Sequence, residues 1–213
     1  MADLDFFFDP VCPWAWITSR WVVEVQQLRH YDVQWKFISL KFLNEDKMDY
    51  AKMPEGYKEV HAAGTNGLRV AARARAEQGN DAAGTVYTAL GTSLHNREER
   101  TMFVADIVGH IGRLLTEAGL PSEWAESAND ASFDAQIRSE TELALDRTGK
   151  DVGTPILTFN PGATNEGSFF GPVISNIPRG GEALKLWDAV ETLATMSGMA
   201  ELKRSLRSRP NFN

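Results

Sequence analysis

The sequence predicts an α/β fold, with a strand–helix–strand unit at the start, a strand–strand–helix unit at the end and a long helical insertion between them. Three observations predict it. Short apolar or alternating runs that read as strands cluster near the two ends of the 213-residue chain. Through the middle, apolar residues recur at helical spacing, and strand signals are few from about residue 54 to residue 149. Proline and glycine mark the joints, at Pro10, Gly149 and Pro161.

Residues 4–8, LDFFF, are an aromatic-rich apolar run that stops at Asp9-Pro10, as a buried strand does. Pro13 then opens a helix in which Ile17, Trp21, Val25 and Leu28 recur every three or four positions. Residues 33–40 alternate, with Val33, Trp35 and Phe37 on one face, and read as a second strand. Two strands joined by one helix form a βαβ unit with a right-handed crossover. In the middle block, residues 66–79 are rich in Ala and Arg. Ile107, Ile111, Leu114 and Leu115 form an apolar stripe closed by Gly119, and Phe133, Ile137, Thr141, Ala144 and Leu145 form another closed by Gly149. Residues 154–159 and 167–170 read as a hairpin around the turn-rich NPGATN segment. A last helix carries Leu184, Trp187, Val190 and Ala194. Removing the helical block leaves βαβ…ββα, the minimal thioredoxin fold. Residues 1–50 and 150–213 are expected to form a thioredoxin-like domain, and residues 51–149 an inserted α-helical domain.

Composition narrows the function. The chain is 43% hydrophobic and 24% charged, with a net charge of −7, which argues against a sequence-independent nucleic-acid binder. The basic stretch at residues 203–209 reads as a solvated helix end and tail. No segment approaches the run of about 18 apolar residues that a membrane helix needs. The N-terminus has early aspartates and no basic residue, unlike a secretory signal. A single cysteine forms no internal disulfide, so a reducing cytoplasm is expected.

That cysteine is the candidate nucleophile. In Asp9-Pro10-Val11-Cys12-Pro13-Trp14-Ala15-Trp16, Pro13 suits the first helical position, which makes Cys12 the N-cap. Unpaired N–H groups and the positive end of the helix dipole favour thiolate there, and such sites bring a cysteine from about 8.5 to roughly 3.5–7.5. The site lies past the carboxyl end of the first strand, where open α/β sheets keep their chemistry. Far along the chain, Gly153-Thr154-Pro155 precedes a strand, and a cis bond before Pro155 would expose the Thr154 backbone to a sulfur-bearing ligand. His30, His61 and His110 lack ligand spacing with any cysteine, so no metal is expected. No dinucleotide fingerprint is present either.

The segments FDPVCPWAWITSRWVVEV, ISLKFLNED, LHN, GKDVGTP, FFGPVISNIPRG, KLWDA and ELKR span most of the chain. Together they resemble the DsbA-like thioredoxin-superfamily oxidoreductases, and most closely the actinobacterial mycothiol-dependent nitroreductase and reductase group. The resemblance implies a cytoplasmic, homodimeric thiol–disulfide oxidoreductase with mycothiol as cosubstrate. Its substrates would be mixed disulfides, mycothiol conjugates or electrophiles such as nitro compounds. Cys12 matches the attacking cysteine, Pro13 and Trp14 the tuning pair, and Thr154 and Pro155 the loop that holds the small thiol, with Gly153 beside them. Tyr57 and His95 match positions facing the cleft. Family members usually carry a second cysteine where this chain has Ala15, so it is either a natural monothiol form or one in which that cysteine has been replaced. Kappa-class glutathione transferases and chromene-carboxylate isomerases also insert helices into a thioredoxin core. They activate a bound thiol with a serine and are the alternative. A redox-dead binding module is the non-enzymatic one.

Overall fold

The computed structural model describes residues 2–206 and 208–212. Arg207, within the basic stretch at 203–209, lies outside the described residues; its described neighbours are exposed and non-helical.

Four strands form one sheet in the order β2-β1-β3-β4. Strand β1 (Leu4–Phe8) lies parallel to β2 (Val33–Phe37), with Phe6 opposite Trp35. On its other side β1 is antiparallel to β3 (Ile156–Phe159), which pairs with β4 (Gly167–Phe170). This is the expected mixed thioredoxin arrangement. Helix α1 (Pro13–Leu28) makes the crossover between β1 and β2. The second strand is shorter than its alternation predicts. It stops at Phe37 because the Ser39 side chain accepts from Phe42 N–H and caps helix α2 (Leu40–Asn44).

Helices α3 (Tyr57–Gln78), α4 (Asn80–Gly91), α5 (Arg100–Ala105) and α6 (Ile107–Glu117) follow, with a π-helical turn, Thr92–Asn96, after α4. Helix α7 (Asp134–Thr148) returns to the sheet, where Ala144 packs with Phe7, Ile38 and Ile156. Helix α8 (Gly180–Thr195) closes the opposite face. There Trp187 meets Trp21 at 5.1 Å and Phe159 at 5.4 Å between ring centroids.

One apolar cluster runs from the sheet into the helices. Phe8 stacks on Tyr87 of α4 at 3.9 Å, and Trp35 and Trp16 meet Tyr87 edge-on. Small residues make this approach possible. A Cβ on Gly91 would lie 2.1 Å from the Trp16 ring, and one on Gly84 2.6 Å from Trp35.

The insertion also covers the exposed edge of β2, where unpaired backbone groups would otherwise invite another strand. Asn80 donates to the Val33 carbonyl and accepts from Trp35 N–H, both at 2.8 Å. Arg75 donates to the Trp35 carbonyl at 3.1 Å, and Glu140 accepts from Phe37 N–H at 2.8 Å. Arg75 and Glu140 are themselves ion-paired at 2.6 Å.

Two glycines separate packing from helix propensity. Gly91→Ala is expected to destabilise the protein by about 1–3 kcal/mol, because a rigid ring fills the space. Gly112→Ala in α6, whose nearest neighbours stand 3.7 Å away, is expected to be neutral or stabilising by up to about 1 kcal/mol. Urea unfolding midpoints of the two variants check both.

Candidate active site

Strand β1 ends into a tight turn that aims Cys12 at the start of α1. The Cys12 N–H donates to the Asp9 carbonyl at 3.1 Å, and the Cys12 carbonyl accepts from Trp16 N–H at 3.0 Å. Cys12 is the N-cap and Pro13 the first helical residue, as the sequence predicts. The sulfur accepts from Ala15 N–H at 3.4 Å and donates to the Thr154 carbonyl at 3.5 Å. The Thr154–Pro155 bond is cis, and the Thr154 contact brings the two distant motifs together at one sulfur. The Thr154 hydroxyl in turn donates to the Phe7 carbonyl at 3.4 Å. Gly153 lies beside Phe170, whose ring is 3.8 Å from where a Cβ would stand.

The thiol's acidity differs from the expectation. Cys12 is 6% exposed, and burial pushes its thiol up to about 12. The Ala15 and Trp14 N–H groups pull it down and the nearby Asp9 pushes it up, but desolvation dominates. Cys12 is here a protonated thiol that donates to a carbonyl. The helix-start N–H groups lower the thiol here too, but they do not offset the loss of water around the sulfur.

Of the two other predicted residues, His95 flanks this turn and Tyr57 does not. His95, 3% exposed, places Nε2 2.9 Å from the Pro10 carbonyl. A carbonyl only accepts, so Nε2 carries the proton. Burial holds the ring neutral, with its pKa lowered to about 4. Its neighbour Asn96 accepts from Trp16 Nε1 at 3.0 Å, which fixes the indole beside the cysteine's helix turn. Tyr57 opens α3 and packs its ring on His61 at 4.5 Å, and His61 also bonds the Tyr50 hydroxyl at 2.9 Å. Tyr50, Tyr57, Met53, Pro54 and Lys58 line an open cavity of about 480 Å³. The contacts place Tyr57 with this aromatic group and give it no bond to Cys12.

The model of a family described as Rv2466c-like, mycothiol-dependent nitroreductase Rv2466c, matches residues 11–204. The chain belongs to this family. It is accordingly an enzyme, a thiol-dependent oxidoreductase. It is also similar to an uncharacterized protein, Rv2286c, of Mycobacterium tuberculosis (strain ATCC 25618 / H37Rv), at 27% identity over 96% of this chain and 82% of that protein. Among solved structures, the cytosolic disulfide reductase DsbM of Pseudomonas aeruginosa, solved with GSH, superposes with a TM-score of 0.54 at 16% identity. The match covers 78% of this chain and 88% of that one. A second structure of DsbM gives the same TM-score at 17% identity and the same coverage. These likenesses show a shared DsbA-like thioredoxin fold.

In this Rv2466c-like chain, sequence reasoning missed Asp9. It is fully buried, and its carboxylate accepts from Val11 N–H at 3.0 Å and Leu40 N–H at 2.8 Å, tying the turn after β1 to the one after β2. Gly64 makes room for it, since a Cβ there would lie 2.5 Å from Oδ1. Desolvation raises Asp9 to about 7, against the two N–H bonds that lower it. The signal was an aspartate directly before a proline at a strand end, which reads equally well as a turn residue.

Asp9 thus has a folded pKa above its unfolded value. Its stabilising contribution is full below about 3.8 and is lost as pH rises through about 7. His95, lowered, works in the opposite sense, so the measurement is differential. Between pH 5 and pH 8, Asp9→Asn is expected to gain stability on the unsubstituted chain by an amount on the order of 2 kcal/mol. Parallel urea titrations at the two pH values check it. An unchanged gap between the two proteins would show that Asp9 does not titrate in this window.

Proposed function

We propose that this enzyme is a mycothiol-dependent reductase that works through Cys12 as a single thiol. The observation that carries the reading is the position of its sulfur, between the Ala15 N–H and the carbonyl of the cis Thr154–Pro155 loop. The N–H groups of the first turn stabilise negative charge on sulfur in attack and in departure. The backbone at Thr154 offers an edge against which a small thiol lies extended. Tyr50, Tyr57 and Lys58, around the cavity at the start of α3, carry hydroxyl and ammonium groups of the kind that suit a hydroxyl-rich thiol such as mycothiol.

The reaction balances as two exchanges. The Cys12 thiolate attacks the mycothiol sulfur of a mixed disulfide, forming a Cys12–mycothiol disulfide and releasing the substrate as its thiol. A second mycothiol thiolate then attacks that mycothiol sulfur, giving oxidised mycothiol and regenerating Cys12. Pro13 and Trp14 shape the rim, and His95 holds the Pro10 carbonyl in place. The dependence on one reduced cysteine suits a reducing cytoplasm.

Incubation with oxidised mycothiol followed by intact-mass measurement is expected to show one mycothiol adduct, absent in Cys12→Ser. Ala15→Cys is expected to shed the adduct without added thiol, because the introduced thiol closes a disulfide with Cys12. The unsubstituted chain keeps the adduct until a second thiol is supplied. No adduct on the unsubstituted chain would sink the reading. Conjugation of an electrophile to mycothiol, with no change in thiol redox state and full retention in Cys12→Ser, would favour transferase chemistry instead.

A further inference from the structure

After α8 the chain does not simply end. Described residues between 200 and 209 are exposed, yet the last ones dock again. The Asn211 N–H donates to the Ser175 carbonyl at 2.8 Å, and its side-chain amide donates to Asn176 at 3.1 Å. One residue on, the Phe212 carbonyl accepts from the Asn96 side chain at 2.8 Å. The Phe212 ring lies 5.5 Å from the ring of His95.

These anchors belong to two different parts of the protein. Ser175 and Asn176 follow β4, whose end lies at the active-site edge: Phe170 pairs with Ile156, and Gly171 N–H donates to the Pro155 carbonyl at 2.9 Å. The same loop touches α1, through the Thr18 hydroxyl and the Pro172 carbonyl at 2.9 Å. Asn96 and His95 belong to the insertion and grip the start of α1 through Trp16 and Pro10. The tail therefore ties the insertion to the core across the helix that carries Cys12.

Reaching this position takes a deliberate path. The C-terminal end of α8 lies at the far edge, where Ala194 crowds Gly167 at the start of β4. A helix of 16 residues is about 24 Å long, so the tail must run back that distance. The segment from Met196 to Pro210 reaches about 50 Å when extended, which is ample. A long connection whose described residues are mostly exposed, with a docked end, is the construction of a strap.

We propose that Asn211–Phe212 is a latch that holds the inserted helices closed on the thioredoxin core, and that its release opens the way to Cys12. Phe212 extends the stack that begins with Trp16 and His95, and it forms one wall of a cavity of about 290 Å³ with Leu94, His95, Glu98 and Arg100. Asn96 links the two ends of that stack, since the one side-chain amide holds Trp16 Nε1 through its oxygen and the Phe212 carbonyl through its nitrogen. Loss of the tail contact frees that amide at the edge of the active-site turn. The inserted helices can then part from the 172–176 loop.

The test is the rate at which iodoacetamide alkylates Cys12, read by mass at pH 8; it needs no mycothiol and so does not depend on the proposed reaction. A chain ending at Arg209 and the variant Phe212→Ala are each expected to react about tenfold faster or more than the full chain, because reaction follows the open population. Their circular dichroism is expected to match the full chain. A synthetic peptide matching residues 208–213 is expected to slow the shortened chain again. If both folded variants react at the full-chain rate, or more slowly, the latch is wrong. If the shortened chain fails to fold, Phe212→Ala decides alone.

Discussion

Two opposing influences meet at the Cys12 sulfur, and much of the molecule is arranged around them. The helix start presents N–H donors that favour a thiolate. The surrounding protein excludes the water that a thiolate needs, and this outweighs the donors. Neither influence can be changed alone. The turn that puts the sulfur on the helix axis also buries it, since Asp9, Pro10 and Val11 are held from below by Gly64 and Gly67 of α3. Solvating the sulfur would remove the dominant desolvation and leave the helix-start donors to favour a thiolate.

The insertion contributes more than a cover. Its polar side chains take the place of a missing fifth strand, with Asn80, Arg75 and Glu140 satisfying the backbone edge of β2. Its aromatic and small residues complete the core on the sheet face that carries Phe6 and Phe8. Deleting it would expose both an unpaired strand edge and the Phe8–Trp35 surface, each a route to aggregation. The same attachment sets the site: Gly91 lets Trp16 lie flat against α4, and the π-helical turn that follows brings His95 and Asn96 to the base of α1. Such turns recur at functional sites because the extra residue redirects side chains that a regular helix would aim elsewhere.

Much of the fold was legible because it rests on local rules. The aromatic run before Asp9-Pro10, the Pro13 helix start and the hairpin at 160–165 follow from periodicity and turn chemistry. The expected end of the second strand was wrong by three residues, since the strand was carried through Ile38 and Ser39 to Leu40, whereas Ser39 serves as a helix cap in the fold. At the site, Cys12 and Thr154-Pro155 could be read because each carries its own signature. Asp9, Asn96 and Phe212 could not. Their contacts come from tertiary neighbours: a space left by Gly64, an indole from α1, a ring from the insertion. The acidity of Cys12 was misread for a related reason. Sequence shows the donors at a helix start, but burial is a property of everything packed around it.

A single-thiol site also asks something particular of its entrance. Position 15 is a fully buried alanine and Cys12 is the only cysteine, so no partner thiol reaches Cys12 from within its own helix turn. The Thr154 carbonyl occupies a second direction. Under the proposed exchange chemistry, the incoming disulfide and the thiol that later resolves it must then use the remaining open side, one after the other. A two-cysteine site opens once and resolves itself internally. A one-cysteine site must admit two molecules in succession while keeping a bound sulfur in line for the second attack. That requirement favours a cleft that opens and recloses around a fixed first turn over one that is permanently open, and it fits a thiol held protonated whenever the cleft is shut.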